Sequence, residues 1–411
     1  MNKVLRELLG YFYPIIIILL LLLFKYINFT QLVVGYLIYC SFVYFTTKTY
    51  LFYIKTQFNI DLLENCPSIK KPNFKQYFLL PFTFCQFLLL EASSNPKKIN
   101  DNEILFREEK IDNEGTSIFW AFYENSKDIH SNPVLFILPG ITGQYDDSYV
   151  QNIIAEGLNN NFDVVVFQMR TLSSEMKMPK NKFVDFYEDI NNSLIKVRNK
   201  NKNYIYGVGY SYGANLLTGY MGNINLETNY IEGGVAVSNP FDLYMSQRLG
   251  EDTLFESLIT YFERKNYMRA VSSFNRKIKN KKKCINVDTL LSSYYVKNFD
   301  TEFFGKILGY KNGDEYYRGI SSAKYIKNIK ICHFRITPCT INYDYFQKKK
   351  QIKTICFFQH GAGNGAQTRD LRLGKATLYQ LSYSRRNTIN IQYCSLIVNS
   401  FFNFFLPNYF I

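Results

Sequence analysis

Two uncharged apolar runs open the chain. "LLGYFYPIIIILLLLLF" covers Leu8–Phe24 and "FTQLVVGYLIYCSFVYF" covers Phe29–Phe45, with Lys25 between them. A helix needs ~20 apolar residues to cross a bilayer, and ~17 is the lower limit. Each run only just reaches it. A secretory signal has a shorter apolar region followed by a small-residue cleavage site, and neither is evident here. The pattern therefore predicts an uncleaved membrane anchor, as one span or as a tight two-span hairpin. Two buried core helices are the alternative. Lys3 and Arg6 precede the first run, and Lys48 and Lys55 follow the second. Two spans would place both basic flanks on the cytoplasmic side.

Further on, short apolar runs alternate with helix-like stretches. The runs are "PVLFILPG" (Pro133–Gly140), "FDVVVFQM" (Phe162–Met169), "NYIYGVGYS" (Asn203–Ser211) and "GGVAVSNP" (Gly233–Pro240). Between them, residues 148–159, 183–199 and 212–220 read as helices. Continuous apolar strands alternating with helices predict an α/β fold with a mostly parallel, doubly wound sheet covered on both faces.

Composition narrows the function. The chain has 411 residues, 47% of them hydrophobic, which is room for one large domain or two. Its net charge of +14 suggests nucleic acid, but the distribution argues against it. Residues 331–411 carry ten Lys/Arg, two Asp and no Glu, so +8 of the charge sits in that tail. A basic tail on a mildly basic body is not a binding stripe. The 8 cysteines form no CxxC pair and the 3 histidines are dispersed, so neither a disulfide framework nor a metal site is expected. No cofactor is called for.

The candidate chemistry lies in "YGVGYSYGANLL", Tyr206–Leu217. Gly209-Tyr210-Ser211-Tyr212-Gly213 is a G-x-S-x-G between a predicted strand and a predicted helix. That is the setting of a nucleophile elbow, in which a sharp turn lifts the serine hydroxyl above the sheet at the positive end of the helix. Ser211 is the candidate nucleophile. Acyl transfer also needs donors for the oxyanion. The backbone N–H of Tyr212 is one candidate. The N–H of Ile141, in the glycine-rich turn "PGITGQYDDSYV" (Pro139–Val150), is the other.

These motifs resemble the membrane-anchored α/β-hydrolases of the ABHD1/ABHD3 kind, with the plant embryogenesis-associated and bacterial YheT-like hydrolases. The resemblance runs from about Phe106 to Ile331 and rests on five ordered segments. They are "FREEKIDNEGTSIFW", "PGITG…SYV", "GVGYSYGANLLTGYMG", "GVAVSNPFDL" and the stretch from Val296 to Ile331. It implies an α/β-hydrolase fold with a helical cap insertion, placed within Tyr244–Tyr295. It further implies a serine esterase or lipase acting on lipid or short-to-medium acyl esters. Alcohol acyltransfer by the same serine is a variant. The implied location is integral to a membrane, the endoplasmic reticulum being a candidate organelle.

The chain also departs from that pattern. Pro139 stands where the family has His, and Gln168-Met169-Arg170-Thr171 where it has N-x-R-G. After Ile331 neither its D-D-P-like acid turn nor its G-G-H base is present. In this fold the triad order is Ser, acid, His. Only His333 and His360 follow Ser211, so Asp344 and His360 are the candidate acid and base. Their short separation leads to the expectation that they miss triad geometry, which makes a catalytically dead hydrolase fold the competing reading. Residues 364–386, "NGAQTRDLRLGKATLYQLSYSRR", resemble the translated complement of a tRNA gene. A retained intron or a wrong last exon is the expectation there. The expected organisation is an anchor over 1–50, a connecting segment over 51–105, a hydrolase domain over 106–331 that is incomplete at its C-terminal end, and an atypical tail over 332–411.

Overall fold

The computed structural model describes residues 29–46, 48–53, 104–124, 130–177, 183–223, 225–226, 228–251, 254–277, 285–329, 332–336 and 355–360. Helix α1 (Phe29–Thr46) covers the second apolar run and leads to strand β1 (Lys48–Tyr53). Among the described residues, no helix is long and apolar enough to cross a membrane. A helix thus forms where a span was expected, but Gln31, Gly35 and four tyrosines and serines between Tyr36 and Tyr44 dilute its apolarity. The run Leu8–Phe24 lies outside the described residues.

The body is a seven-stranded sheet. Its strands are β2 (Ile104–Lys110), β3 (Ser117–Tyr123), β4 (Val134–Leu138), β5 (Asp163–Gln168), β6 (Ile205–Tyr210), β7 (Gly233–Val237) and β8 (Cys332–Ile336). Their order is β2-β3-β5-β4-β6-β7-β8. β3 runs antiparallel to β2 and β5, while β5, β4, β6, β7 and β8 are mutually parallel. Every residue of β4, β5, β6 and β7 is buried, as expected of parallel strands covered on both faces. The sheet passes the expected boundary at Ile331, since Cys332–Ile336 pairs in register with Gly233–Val237. "CHFRI" is too short for its pattern to reveal a strand. β9 (Ile355–His360) pairs antiparallel with β1 in a separate two-stranded sheet.

Helices form where burial has a 3.6-residue period. In α2 (Ser148–Asn159) the buried positions include Val150, Ile153, Ile154 and Gly157, a single face laid on β5 and β3. In α3 (Phe186–Lys200) they are Phe186, Asp189, Ile190, Ser193, Leu194 and Val197. α3 begins three residues later than the periodicity predicts because Asp185 caps it, accepting from the N–H groups of Tyr187 and Glu188. α4 (Tyr212–Met221) is buried along its whole length between α3 and the sheet. From β4 the chain crosses back to β5, and from β6 it crosses forward to β7. Right-handed crossovers in opposite directions put α2 on one face and α4 on the other.

Two contacts fix this frame. Arg170, just after β5, is 3% exposed. Its Nε donates to Asp189 Oδ2 of α3 at 2.7 Å, and its terminal nitrogens donate to Asp189 Oδ1, to Glu114 at 2.9 Å and to Asp112 at 3.0 Å. One guanidinium thereby ties the β2–β3 turn to the central helix layer. The second contact is a near-collision: α4 starts so close to β4 that a Cβ on Gly213 would lie 2.2 Å from the carbonyl oxygens of Leu138 and Pro139.

After β7 come helices α5 (Leu243–Gly250), α6 (Leu254–Lys277) and α7 (Val287–Ser292), then a continuous helical stretch over 296–308 and helix α8 (Gly313–Ile320). They bury an aromatic cluster of Tyr267, Phe299, Phe303, Phe304, Tyr316 and Tyr317. They also bury acids. Glu263 of α6 is fully buried with neither carboxylate oxygen hydrogen-bonded. Asp300 accepts from the Tyr317 hydroxyl at 2.8 Å through one oxygen and leaves the other unpartnered. Burial, together with the neighbouring Asp300 and Glu256 carboxylates, pushes the Glu263 carboxyl far above the usual range. Burial pushes Asp300 up to about 7.

Two outcomes follow from this packing. Gly213→Ala must displace backbone, since both atoms it meets are carbonyl oxygens, and should cost about 3 kcal/mol or more. Denaturant melts of the variant check this. The second concerns Glu263 and Asp300. The unfolded chain releases both protons above about pH 4, whereas the folded chain holds them, so folding stability falls as pH rises from about 4 toward 7. Glu263→Gln removes part of that slope. Its melting temperature, relative to the unsubstituted protein, should rise steadily between pH 5 and pH 8.

Candidate active site

β4 and β6 are neighbours, with Leu138 opposite Gly209. From their carboxyl ends the chain departs in opposite directions. An open α/β sheet binds ligands at such a switch point, in the crevice outside the strand ends. Two turns meet there: Pro139-Gly140-Ile141, which leaves β4, and Ser211, which leaves β6.

Ser211 has φ 50° and ψ −115°. A left-handed non-glycine residue of this kind costs ~1–3 kcal/mol and persists only where its surroundings impose it. Here they do. The Ser211 N–H donates to the Val237 carbonyl at the end of β7 at 2.9 Å, and its own carbonyl accepts from Asn215 of α4 at 3.1 Å. Ser211 is the N-cap residue of α4, yet its hydroxyl makes no capping bond. The Oγ is thus held half-buried at the positive end of a helix, unused by the fold.

The Gly140–Ile141 turn abuts it. A Cβ on Gly140 would stand 3.8 Å from Ser211 Cβ. The Gly140 N–H donates to the Tyr149 hydroxyl at 2.9 Å, and its carbonyl accepts from the Gly143 N–H at 3.0 Å. The peptide linking Gly140 to Ile141 is trans, so with its oxygen turned toward Gly143 the Ile141 N–H points the opposite way. The Ile141 carbonyl accepts from the Tyr267 hydroxyl. Tyr212 is the first residue of α4, where an N–H has no partner within the helix. Its ring is 2% exposed, and its hydroxyl lies 3.0 Å from that of Tyr316. Burial raises the Tyr212 phenol far above its usual pKa, so it remains protonated.

The remaining residues singled out in the sequence are placed as follows. Asp344 lies outside the described residues. His360 ends β9, opposite Lys48 of β1. His333 sits in β8, opposite Gly234. His130 has its ring edge-on to Trp120 at 4.4 Å, and an Arg107 nitrogen stands 3.3 Å from it. It precedes β4 and so lies at the opposite edge of the sheet from Ser211, with its pKa lowered by burial. Among the described residues no group of His, Cys, Asp or Glu is arranged to hold a metal ion.

Three residues near the site escaped the sequence reading: Tyr149, Tyr267 and Tyr316. Tyr149 stands within the quoted "SYV", nine positions from Gly140, and was within reach of a local reading. Tyr267 is 126 positions from its partner Ile141, and nothing in the sequence joins them.

No family profile matches the chain. Individual relatives do. The chain is similar to the embryogenesis-associated protein EMB8 of Picea glauca, 28% identical over 49% of this chain and 45% of that one. It is similar to a monoacylglycerol lipase of Saccharomyces cerevisiae, 32% identical over 50% of this chain and 46% of that one. It is also similar to the phospholipase ABHD3 of Bos taurus, 23% identical over 67% of this chain and 66% of that one. The chain thus spans about half the length of the first two of these curated relatives. A sheet with its second strand reversed, a serine turn at the switch point and these relatives point the same way: the chain is similar to the ABHD3/EMB8-type α/β-hydrolases.

Proposed function

We propose that this protein is a serine-dependent carboxylic ester hydrolase acting on lipid or short-to-medium acyl esters. The observation that carries the reading is the left-handed Ser211 at the switch point, with an idle hydroxyl beside the Gly140–Ile141 turn. Ser211 Oγ attacks the ester carbonyl. The N–H groups of Tyr212 and Ile141 take up the negative charge that develops on the carbonyl oxygen. A base accepts the Oγ proton, returns it to the leaving alcohol and then activates water to release the acid. His360, oriented by Asp344, is the pair proposed for that duty. Lipid substrates are favoured by the names of two relatives, a monoacylglycerol lipase and a phospholipase.

A second reading, a hydrolase fold without turnover, draws on one observation. Only His333 and His360 follow Ser211, and His360 belongs to a strand paired outside the main sheet. A fluorophosphonate probe decides between the two. The hydrolase reading expects Ser211 to be labelled, and Ser211→Ala to lose labelling and at least ~10³-fold in kcat on p-nitrophenyl butyrate. Stability should change by no more than about 1 kcal/mol, since the turn accepts a smaller side chain. Unlabelled wild-type protein favours the inactive fold, and Ser211→Ala with undiminished turnover excludes Ser211.

We also propose that the N-terminal segment attaches the protein to a membrane, on the strength of the uncharged run Leu8–Phe24. On α1, Ile38 and Phe42 are each 65% exposed, which suits an apolar surrounding. The protein should stay in the membrane pellet after alkaline carbonate washing. Recovery in the supernatant rules out an integral anchor.

A further inference from the structure

The helices after β7 reach back to both oxyanion residues. From the middle of α6, the Tyr267 hydroxyl donates to the Ile141 carbonyl. From α8, the Tyr316 hydroxyl meets the Tyr212 hydroxyl at 3.0 Å. Phe304 stands between the two tyrosines, edge-on to Tyr267 at 5.5 Å and stacked on Tyr316 at 5.4 Å with only 3° between the rings. Tyr267, Phe304 and Tyr316 are each no more than 1% exposed. A single aromatic cluster therefore ends in two hydroxyls, one on the Ile141 carbonyl and one on the Tyr212 hydroxyl.

The Tyr267 bond matters because of what surrounds it. Ile141 has its N–H directed by the Gly140 peptide, whose oxygen is held by Gly143 and whose residue is held by Tyr149. These bonds fix the near side of Ile141. Its far side is fixed by Tyr267 alone among the bonds described. Without that bond the Ile141–Thr142 peptide is free to rotate, and the turn that carries the Ile141 N–H is held from one side only. Tyr267 also stays a donor over the ordinary pH range. Burial first, then the neighbouring Glu263, Tyr212 and Asp300, hold its phenol far above the usual value.

We propose that Tyr267 is a positioning residue for the oxyanion hole, steadying the turn that carries the Ile141 N–H through the Ile141 carbonyl, while Tyr316 braces the Tyr212 side chain through its hydroxyl. The proposal rests on the hydrolase reading for its catalytic meaning, though not for its geometry. The helical insert is then part of the catalytic frame as well as a cover over the substrate crevice.

The test is Tyr267→Phe, which keeps the ring in its packing and removes only the donor. Two readouts separate the proposal from the hydrolase reading. Amide hydrogen exchange in the 140–143 segment should quicken about tenfold, as expected when one hydrogen bond of ~1–1.5 kcal/mol is lost. With p-nitrophenyl butyrate, kcat should fall about tenfold while KM stays within about twofold, the signature of an interaction used in the transition state. Tyr316→Phe should behave similarly but more weakly. Wild-type protein without turnover, combined with faster exchange in Tyr267→Phe, sinks the hydrolase reading and upholds the placement of Ile141 by Tyr267. Unchanged exchange overturns the proposal. So does faster exchange with kcat unaltered, because Tyr267 would then only satisfy a buried carbonyl.

Discussion

The approach of α4 to the end of β4 is the constraint on which the site depends. Gly213 has the carbonyl oxygens of Leu138 and Pro139 where a side chain would begin. A helix that starts so near a strand leaves no room for a gradual turn between β6 and α4. The chain must reverse within one residue, and Ser211 takes the left-handed conformation that this requires. The same approach sets the distance between the serine and the turn leaving β4. One steric fact thus couples the nucleophile candidate to its oxyanion candidate, and neither can shift without the other. The strain is sustained by bonds on both sides of Ser211, to Val237 before α4 begins and from Asn215 within it.

Polar groups are divided between two tasks in this molecule. At the periphery of the sheet, Arg170 is matched by three carboxylates, a buried cation with full compensation. In the helical insert, Glu263 and Asp300 are buried without a cation. Their raised pKa values mean that the protonated forms predominate well above the usual carboxylate range. That state suits their position. Both carboxyls act electrostatically on the Tyr212 phenol, where burial is the larger influence.

The sheet's central strands were legible because each is a short, mostly apolar run set between helix-like stretches. Residues 134–138, 163–168, 205–210 and 233–237 all fall inside the runs read from the sequence. α2 matched residue for residue, since its apolar face is regular. The serine turn could be read because its glycines are local to it. The tyrosine contacts could not. Tyr267 and Tyr316 look like any aromatic residue on a buried helix, and their partners lie 126 and 104 positions away. β8 carries a weaker signal of its own: five residues with Arg335 among them have neither the length nor the uniform apolarity of the inner strands. The pairing of β9 with β1 joins residues 355–360 to 48–53, a separation no periodicity reports.

What the frame can do depends on the proton of Ser211. Oxyanion donors and a positioned hydroxyl stabilise the charge on the substrate, but attack also needs the Oγ proton to leave. In the order Ser, acid, His, the base must be one of the two histidines that follow Ser211, His333 in β8 or His360 beyond it. Beyond β8 the structure describes the chain only over β9. The elbow and the insert are complete before residue 330 and the sheet closes with β8 at Ile336, built by contacts that make no use of an imidazole. Stability of this body and its capacity for turnover are therefore separable properties. A chain can keep the strained serine and the oxyanion turn whether or not a base reaches them. Removing triad members elsewhere leaves ~10³–10⁴-fold acceleration over water from the oxyanion hole and binding alone. On the hydrolase reading, the difference between full and residual turnover resides in whether a histidine reaches Ser211.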